Sequence, residues 1–123
     1  MLTPWPRITL IGFRLPTMQA IKSKFPNVEV FGLGSLEPGP QQDAWLPSVA
    51  DCIRHVQSAG LDGMGLEACP AIDAGFVRRV HAARLQIGVW TVDDPVEARR
   101  LIEAGIDSLT TNRPGWLREQ LRC

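Results

Sequence analysis

The sequence has 123 residues, 45% hydrophobic and 21% charged, which is enough for one domain with a modest core and too few for two. Its 13 basic and 13 acidic residues cancel to a formal charge of zero, so there is no basic footprint for nucleic acid or an anionic membrane surface. No apolar run approaches the length of a membrane span, and the start, MLTPWPRITLIGFRLP, lacks the charged and apolar regions of a signal peptide.

Short runs rich in Ile and Val alternate with segments of helical period. Arg7 to Phe13 (RITLIGF) reads as a strand, and Pro16 to Lys24 as a short helix stopped by Pro26. Val28 to Leu33 is a second strand, followed by a loop dense in Gly and Pro from Gly34 to Gln42. Leu46, Val49, Ala50, Ile53 and Val56 then recur at steps of three and four, the apolar stripe of an amphipathic helix. Leu61 to Leu66 forms the third strand, and Phe76, Val77 and Val80 mark the next helix. Gln86 to Val92 is the fourth strand, Ala98, Leu101 and Ile102 line a further helix, and Ile106 to Thr111 is the fifth strand. A last short helix covers Gly115 to Leu121.

This order is a βα unit repeated five times, which predicts a parallel sheet with crossover helices across a single domain, residues 1–123. One junction recurs: Ala59-Gly60-Leu61-Asp62 and Ala104-Gly105-Ile106-Asp107 both put Gly at a helix C-terminus directly before a strand. Such an echo favours a barrel-type fold built of like units. A closed (β/α)8 barrel takes eight units and about 250 residues. Five units make either an open sheet or part of a barrel.

Cys52, Cys69 and Cys123 are odd in number and lack C-x-x-C spacing, so neither a disulfide framework nor a zinc site is indicated. Reduced thiols in the cytoplasm are the expectation. There is no GxGxxG, GKS/T, GxSxG or HExxH, which removes the common nucleotide, hydrolase and zincin motifs.

The stretch Gly88 to Pro95, GVWTVDDP, holds a tryptophan near the end of a strand and two acids beyond it. Asp94, Pro95 and Glu97 fit a helix start, with Asp as N-cap, Pro at N1 and Glu at N3 of a capping box. Asp93 is less constrained and stands as a metal or substrate candidate. Alternation puts Gly88, Trp90 and Val92 on one face and Val89 and Thr91 on the other. Trp90 is then either a core residue or an aromatic near the barrel end where active sites lie. His55 and His81 fall within helices of the outer ring, which points to solvated or half-buried residues rather than catalysts. Arg14 and Glu67 sit at predicted strand ends, where Arg could bind an anion and Glu a hard cation, although both read more simply as surface charges. Thr110-Thr111-Asn112-Arg113-Pro114 is a strand-to-helix turn.

The residues from Phe76 onward resemble the glycerophosphodiester phosphodiesterase family. The resemblance is carried by FVRRVHAARL (Phe76 to Leu85), VWTVDDP (Val89 to Pro95), GIDS (Gly105 to Ser108) and TTNRP (Thr110 to Pro114). The family ends in a Trp-Thr strand and a strand closing in Thr-Asp-Arg-Pro; here Asn112 replaces that Asp. Arg7 to Glu67 follow the middle of the family barrel by order and spacing, with Phe13 at the family's Ser-Phe strand end and Gly12 in place of the serine.

The resemblance implies a TIM barrel that hydrolyses glycerophosphodiesters to an alcohol and glycerol 3-phosphate with a divalent metal, Ca²⁺ or Mg²⁺. Its chemistry is carried by a His-Arg pair, a Glu-x-Asp, a His-Asp and a Glu-x-Lys in the first three βα units. None of these motifs occurs in this sequence. The chain corresponds to units four to eight, a partial TIM barrel. What carries over is Trp90 and Phe13 as substrate-binding aromatics, with no catalytic residue and no metal ligand. The expectation is a family member that does not hydrolyse its substrate alone and binds no metal alone. The alternative is a non-catalytic half-barrel that self-associates through its open sheet edges. A complete small α/β domain with an unrelated activity finds no supporting motif.

Overall fold

The computed structural model describes residues 8–40 and 45–122. Five strands, β1 (Thr9–Gly12), β2 (Glu29–Gly34), β5 (Gly63–Glu67), β6 (Gln86–Trp90) and β7 (Ser108–Leu109), form one parallel sheet in the order β1-β2-β5-β6-β7. Each is followed by a helix: α1 (Leu15–Lys24), α2 (Val49–Ser58), α3 (Ala74–Ala82), α4 (Pro95–Ala104) and α5 (Pro114–Leu121). Five parallel strands in sequence order are the predicted partial (β/α)8 barrel.

Two departures from the sequence reading lie between β2 and α2. The expected loop contains β3 (Glu37–Pro38), paired antiparallel with β4 (Trp45–Leu46). Leu46, expected on the helix stripe, belongs to that hairpin and is exposed. Ser48 starts α2 instead: its hydroxyl accepts the Asp51 backbone N–H at 3.2 Å. Ile102 was expected to line α4 but is also exposed; Ala98 and Leu101 carry that stripe and are fully buried. The predicted strand start at Arg7 lies outside the described residues.

The core fills the layer between sheet and helices. Met64, Leu66, Ile87 and Val89 of the central strands are almost fully buried beside Val56, Val77, Val80 and Leu101 of the helices. The opposite face of the sheet is concave. Two glycines let side chains of the neighbouring strands pack close on it: a Cβ at Gly65 would come 2.6 Å from Leu33 Cδ2, and one at Gly88 would collide with Ser108 Oγ. Phe31 and Leu33 therefore lie close against the backbone of the neighbouring strands.

The junction echo occurs three times. In each case the last helical turn closes with the pair of hydrogen bonds of a Schellman motif. Gly60 N–H donates to Gln57 O and Leu61 N–H to Val56 O, and Gly105 N–H donates to Ile102 O and Ile106 N–H to Leu101 O. Arg84 N–H to His81 O and Leu85 N–H to Val80 O repeat the pattern. The backbone turns left-handed at Gly60 (φ 71°), Arg84 (φ 63°) and Gly105 (φ 101°). The middle copy escapes a sequence search because arginine replaces the glycine.

Candidate functional site at the mouth of the half-barrel

Trp90 is the last residue of β6, and Phe13 immediately follows β1. Two strands, β2 and β5, separate them in the sheet. Their rings nevertheless meet edge to face, with centroids 6.0 Å apart and planes at 86°. A flat sheet could not bring them together. The curl of the parallel sheet does so, and it places the pair at the C-terminal ends of the strands.

Gly65 lies beneath the pair; a Cβ there would reach within 3.7 Å of Trp90 Cδ1. Ala68 N–H donates to Trp90 O at 2.8 Å, which continues the β5–β6 ladder past its last residue and fixes the Trp90 backbone. Phe13 is 63% exposed and Trp90 half-buried. The indole Nε1 is shut off from solvent yet has no hydrogen-bond partner among the described residues. A donor left this way costs about 1–3 kcal/mol, and an apolar wall does not need it.

The two sequence-selected aromatics are thus brought together at the rim of a concave space of about 660 Å³. Ile11, Phe31, Leu33, Gly65, Gly88 and Thr110 are among its walls. Alternation had already put Gly88 on the face of Trp90, and counting back by two from Phe13 would have found Ile11. Phe31, Leu33 and Gly65 needed the strand register. Val92 does not share the face of Trp90 as alternation implied: β6 ends at Trp90, and Val92 turns into the core, where it is 2% exposed.

The acids of GVWTVDDP both have local partners. Asp94 is the N-cap of α4, its carboxylate accepting the Val96 and Glu97 backbone N–H groups at 3.3 Å each. Only half of the expected capping box forms, because Glu97 turns to Arg100, whose Nε lies 3.0 Å from Glu97 Oε2. Arg100 in turn donates to Ile72 O and Cys69 O, which ties α4 to the loop after β5.

Asp93 accepts the Thr111 hydroxyl at 2.7 Å and the Asn112 backbone N–H at 2.9 Å, and so joins the ends of β6 and β7. The Thr111 hydroxyl first, and the Asn112 N–H next, hold its carboxyl below the ordinary range. Glu67 ends β5 exposed, Arg14 is the exposed N-terminal flank of α1, and His55 and His81 lie on the outer helices α2 and α3. None of the four lines the concave space, although Glu67 is the register partner of Trp90 and Arg14 directly follows Phe13.

A divalent metal needs several oxygen or nitrogen donors converging on one point. Among the described residues no group of three His, Cys, Asp or Glu side chains does so. Near the mouth Asp93 is committed to β7 and Asp94 to its helix. The described residues at the mouth do not by themselves form a metal site.

A family model, "Glycerophosphoryl diester phosphodiesterase family", matches residues 3–116. The chain belongs to the glycerophosphoryl diester phosphodiesterase family. It is 38% identical over 111 residues to "Probable glycerophosphodiester phosphodiesterase 2" of Mycobacterium tuberculosis, a match covering 89% of this chain and 39% of that protein.

Among solved structures it is similar to an Oleispira antarctica phosphodiesterase in complex with the product sn-glycerol-3-phosphate (15% identity, TM-score 0.74, 97% of this chain and 43% of that one). A glycerophosphodiester phosphodiesterase from Thermotoga maritima also superposes (18% identity, TM-score 0.63, 93% of this chain and 46% of that one). At these identities the superpositions show the fold. The chain spans about two fifths of the length of the glycerophosphoryl diester phosphodiesterases it matches. No helix among the described residues is long and apolar enough to cross a membrane.

Proposed function

We propose that this chain is a single domain that forms five βα units of a glycerophosphodiester phosphodiesterase barrel and supplies the aromatic side of its substrate site. Trp90 and Phe13 line the site, where an apolar edge would hold the glycerol backbone or head group of a glycerophosphodiester. The observation that carries this reading is their contact across two intervening strands at the C-terminal mouth, the end where barrel enzymes work. The reaction of the assembled barrel is hydrolysis of the diester to an alcohol and glycerol 3-phosphate. The histidines that move the proton, and the carboxylates that hold Ca²⁺ or Mg²⁺, belong to units whose motifs this sequence lacks. The 123-residue chain alone is therefore inactive. Its free thiols, Cys52 and Cys69, suit a cytoplasmic site of action.

The test uses the purified chain and glycerophosphocholine, with Ca²⁺ or Mg²⁺ added. The expected result is no released choline and a tryptophan fluorescence change on titration that Trp90→Phe removes. Metal-dependent turnover by the chain alone would overturn the inactive reading. Identical titrations of the two proteins would overturn the assignment of Trp90.

A further inference from the structure

We propose that a second, smaller pocket behind the end of β2 receives the head group of the diester and selects an uncharged three-carbon alcohol. This deepens the reading above and rests on it.

The pocket exists because β2 leaves a gap in the layer between sheet and helices. In β5 and β6 the helix-facing positions are Met64 and Leu66, Ile87 and Val89, all almost fully buried. The same two rows of β2 hold Gly32, beside Met64, and Gly34, beside Leu66. Glycine inside a strand weakens the sheet and marks a place where another group comes close to the backbone. At Gly32 that group is protein: a Cβ there would come 2.9 Å from Leu15 Cδ2 and 3.3 Å from Leu61 Cδ1. Gly34 is different. Beyond its chain neighbours, a Cβ there would meet only Leu66 Cδ2, at 3.9 Å. A cavity of about 130 Å³ is left between Gly34, Leu36 and Pro47 on one side and Cys52 and Val56 of α2 on the other.

Position joins this pocket to the site. Phe13 and Leu33 line both it and the concave space. A diester whose glycerol 3-phosphate end lies beside Trp90 can therefore turn its head group past Phe13 toward Gly34.

The lining sets the class of head group. No Asp, Glu, Lys or Arg is among its walls. Asp51, next to Cys52, is turned to Arg54 at 2.7 Å. An ammonium head group would enter with no carboxylate to balance it, and an unpaired charge is costly to bury. Ser35 and His55, both exposed, offer hydrogen bonds to hydroxyl groups, while Leu36 and Leu66 present carbon. The volume matches roughly four waters at about 30 Å³ each, which suits a three-carbon alcohol.

The experiment titrates the isotope-labelled 123-residue chain with glycerophosphoglycerol, glycerophosphocholine and glycerol 3-phosphate, read by NMR. Glycerophosphoglycerol should shift the Gly34 and Leu36 amides together with the Trp90 indole, and should bind more tightly than glycerophosphocholine. Glycerol 3-phosphate, which has no head group, should shift Trp90 and leave Gly34 and Leu36 unmoved. Gly34→Val fills the cavity and should weaken glycerophosphoglycerol about tenfold, with glycerol 3-phosphate unaffected. Gly34→Ala, a single methyl in open space, should cause a smaller loss in the same direction, and urea unfolding checks that both variants fold. Unmoved Gly34 and Leu36 amides, equal affinity for glycerophosphocholine, or undiminished binding in both variants would overturn the proposal. Shifts at Gly34 and Leu36 without a response at Trp90 would overturn the assignment of Trp90 alone and leave the pocket standing.

Discussion

Asp107 Oδ2 lies 2.8 Å from His81 Nε2 and accepts the Ile87 backbone N–H at the same distance, so one carboxylate ties the start of β7 to α3 and β6. Asp62 repeats the arrangement two strands earlier, before β5. Its Oδ2 accepts the Val30 N–H at 2.8 Å and lies 2.8 Å from Lys22 Nζ on α1. In both cases the Asp backbone N–H donates back to the same strand residue, Val30 or Ile87. The repeated Gly-Leu-Asp and Gly-Ile-Asp are therefore stitches between consecutive units as well as helix ends.

Removing either carboxylate strands a part-buried N–H. Asp62→Ala and Asp107→Ala are expected to destabilise the chain by about 1–3 kcal/mol each, measured by urea unfolding. Asp107→Asn keeps an acceptor and should lose less. Equal losses for the Asn and Ala variants would show that the contact with His81, and not the N–H acceptor, is what matters.

Arg84 takes a left-handed conformation at an exposed position where the two sister junctions have glycine. A non-glycine residue there costs about 1–2 kcal/mol, part of which glycine gives back as entropy of the unfolded chain. Arg84→Gly should raise stability by about 0.5–1 kcal/mol. Gly60→Ala and Gly105→Ala should lower it. Thermal or urea unfolding of the three variants provides the check, and a loss of stability in Arg84→Gly would contradict the junction argument.

Asp93 predicts a pH signature. Its folded pKa is held below the ordinary 3.8, chiefly by the Thr111 hydroxyl and then the Asn112 N–H. The unfolded chain therefore binds the proton first as pH falls. The carboxylate's contribution is present above pH 3.8 and is lost as pH drops through the lower, folded value. Asp93→Asn should lower the urea midpoint at pH 7, with the difference shrinking toward pH 3 and below. Asn112→Asp, which restores the acid of the resembling family, sets a second carboxylate against Asp93 and should raise the Asp93 pKa, read by carboxyl NMR titration.

Burial first, and the nearby Asp51 charge second, push the Cys52 thiol up to about 11. At pH 8 the native chain should alkylate slowly at Cys52 and rapidly once unfolded, measured by mass spectrometry of the modified peptide. The folded state keeps this proton where the unfolded thiol, near 9.0, gives it up. The contribution to stability is thus intact below pH 9 and declines from there toward about 11. Cys52→Ser should remove that alkaline decline.

The order of strands and helices was legible because burial imposes a period of two or 3.6 on the chain, and the parallel sheet keeps its strands apolar on the helix side. Local chemistry was legible too: Asp94 caps α4 as its neighbours Pro95 and Glu97 suggested. The hairpin of β3 and β4 was not, since two-residue strands around Gly and Pro carry no periodicity. Leu46 and Ile102 were misplaced for a related reason: helical spacing says which residues could face a core, while only packing says which do.

For the site, the sequence by itself selected Trp90 and Phe13, and a family to which the chain belongs. It could not bring them together. Their contact depends on the curl of a sheet with two strands between them and on the missing Cβ at Gly65, against which Leu33 packs, both products of register and twist. The same holds for the stitches of Asp62 and Asp107, whose partners lie 32 and 20 residues away. Residue type and spacing determine the elements and their ends, because those forces act within a few residues. Which ends meet is decided only when the strands pair, because hydrogen bonds between strands join residues that the chain itself keeps far apart.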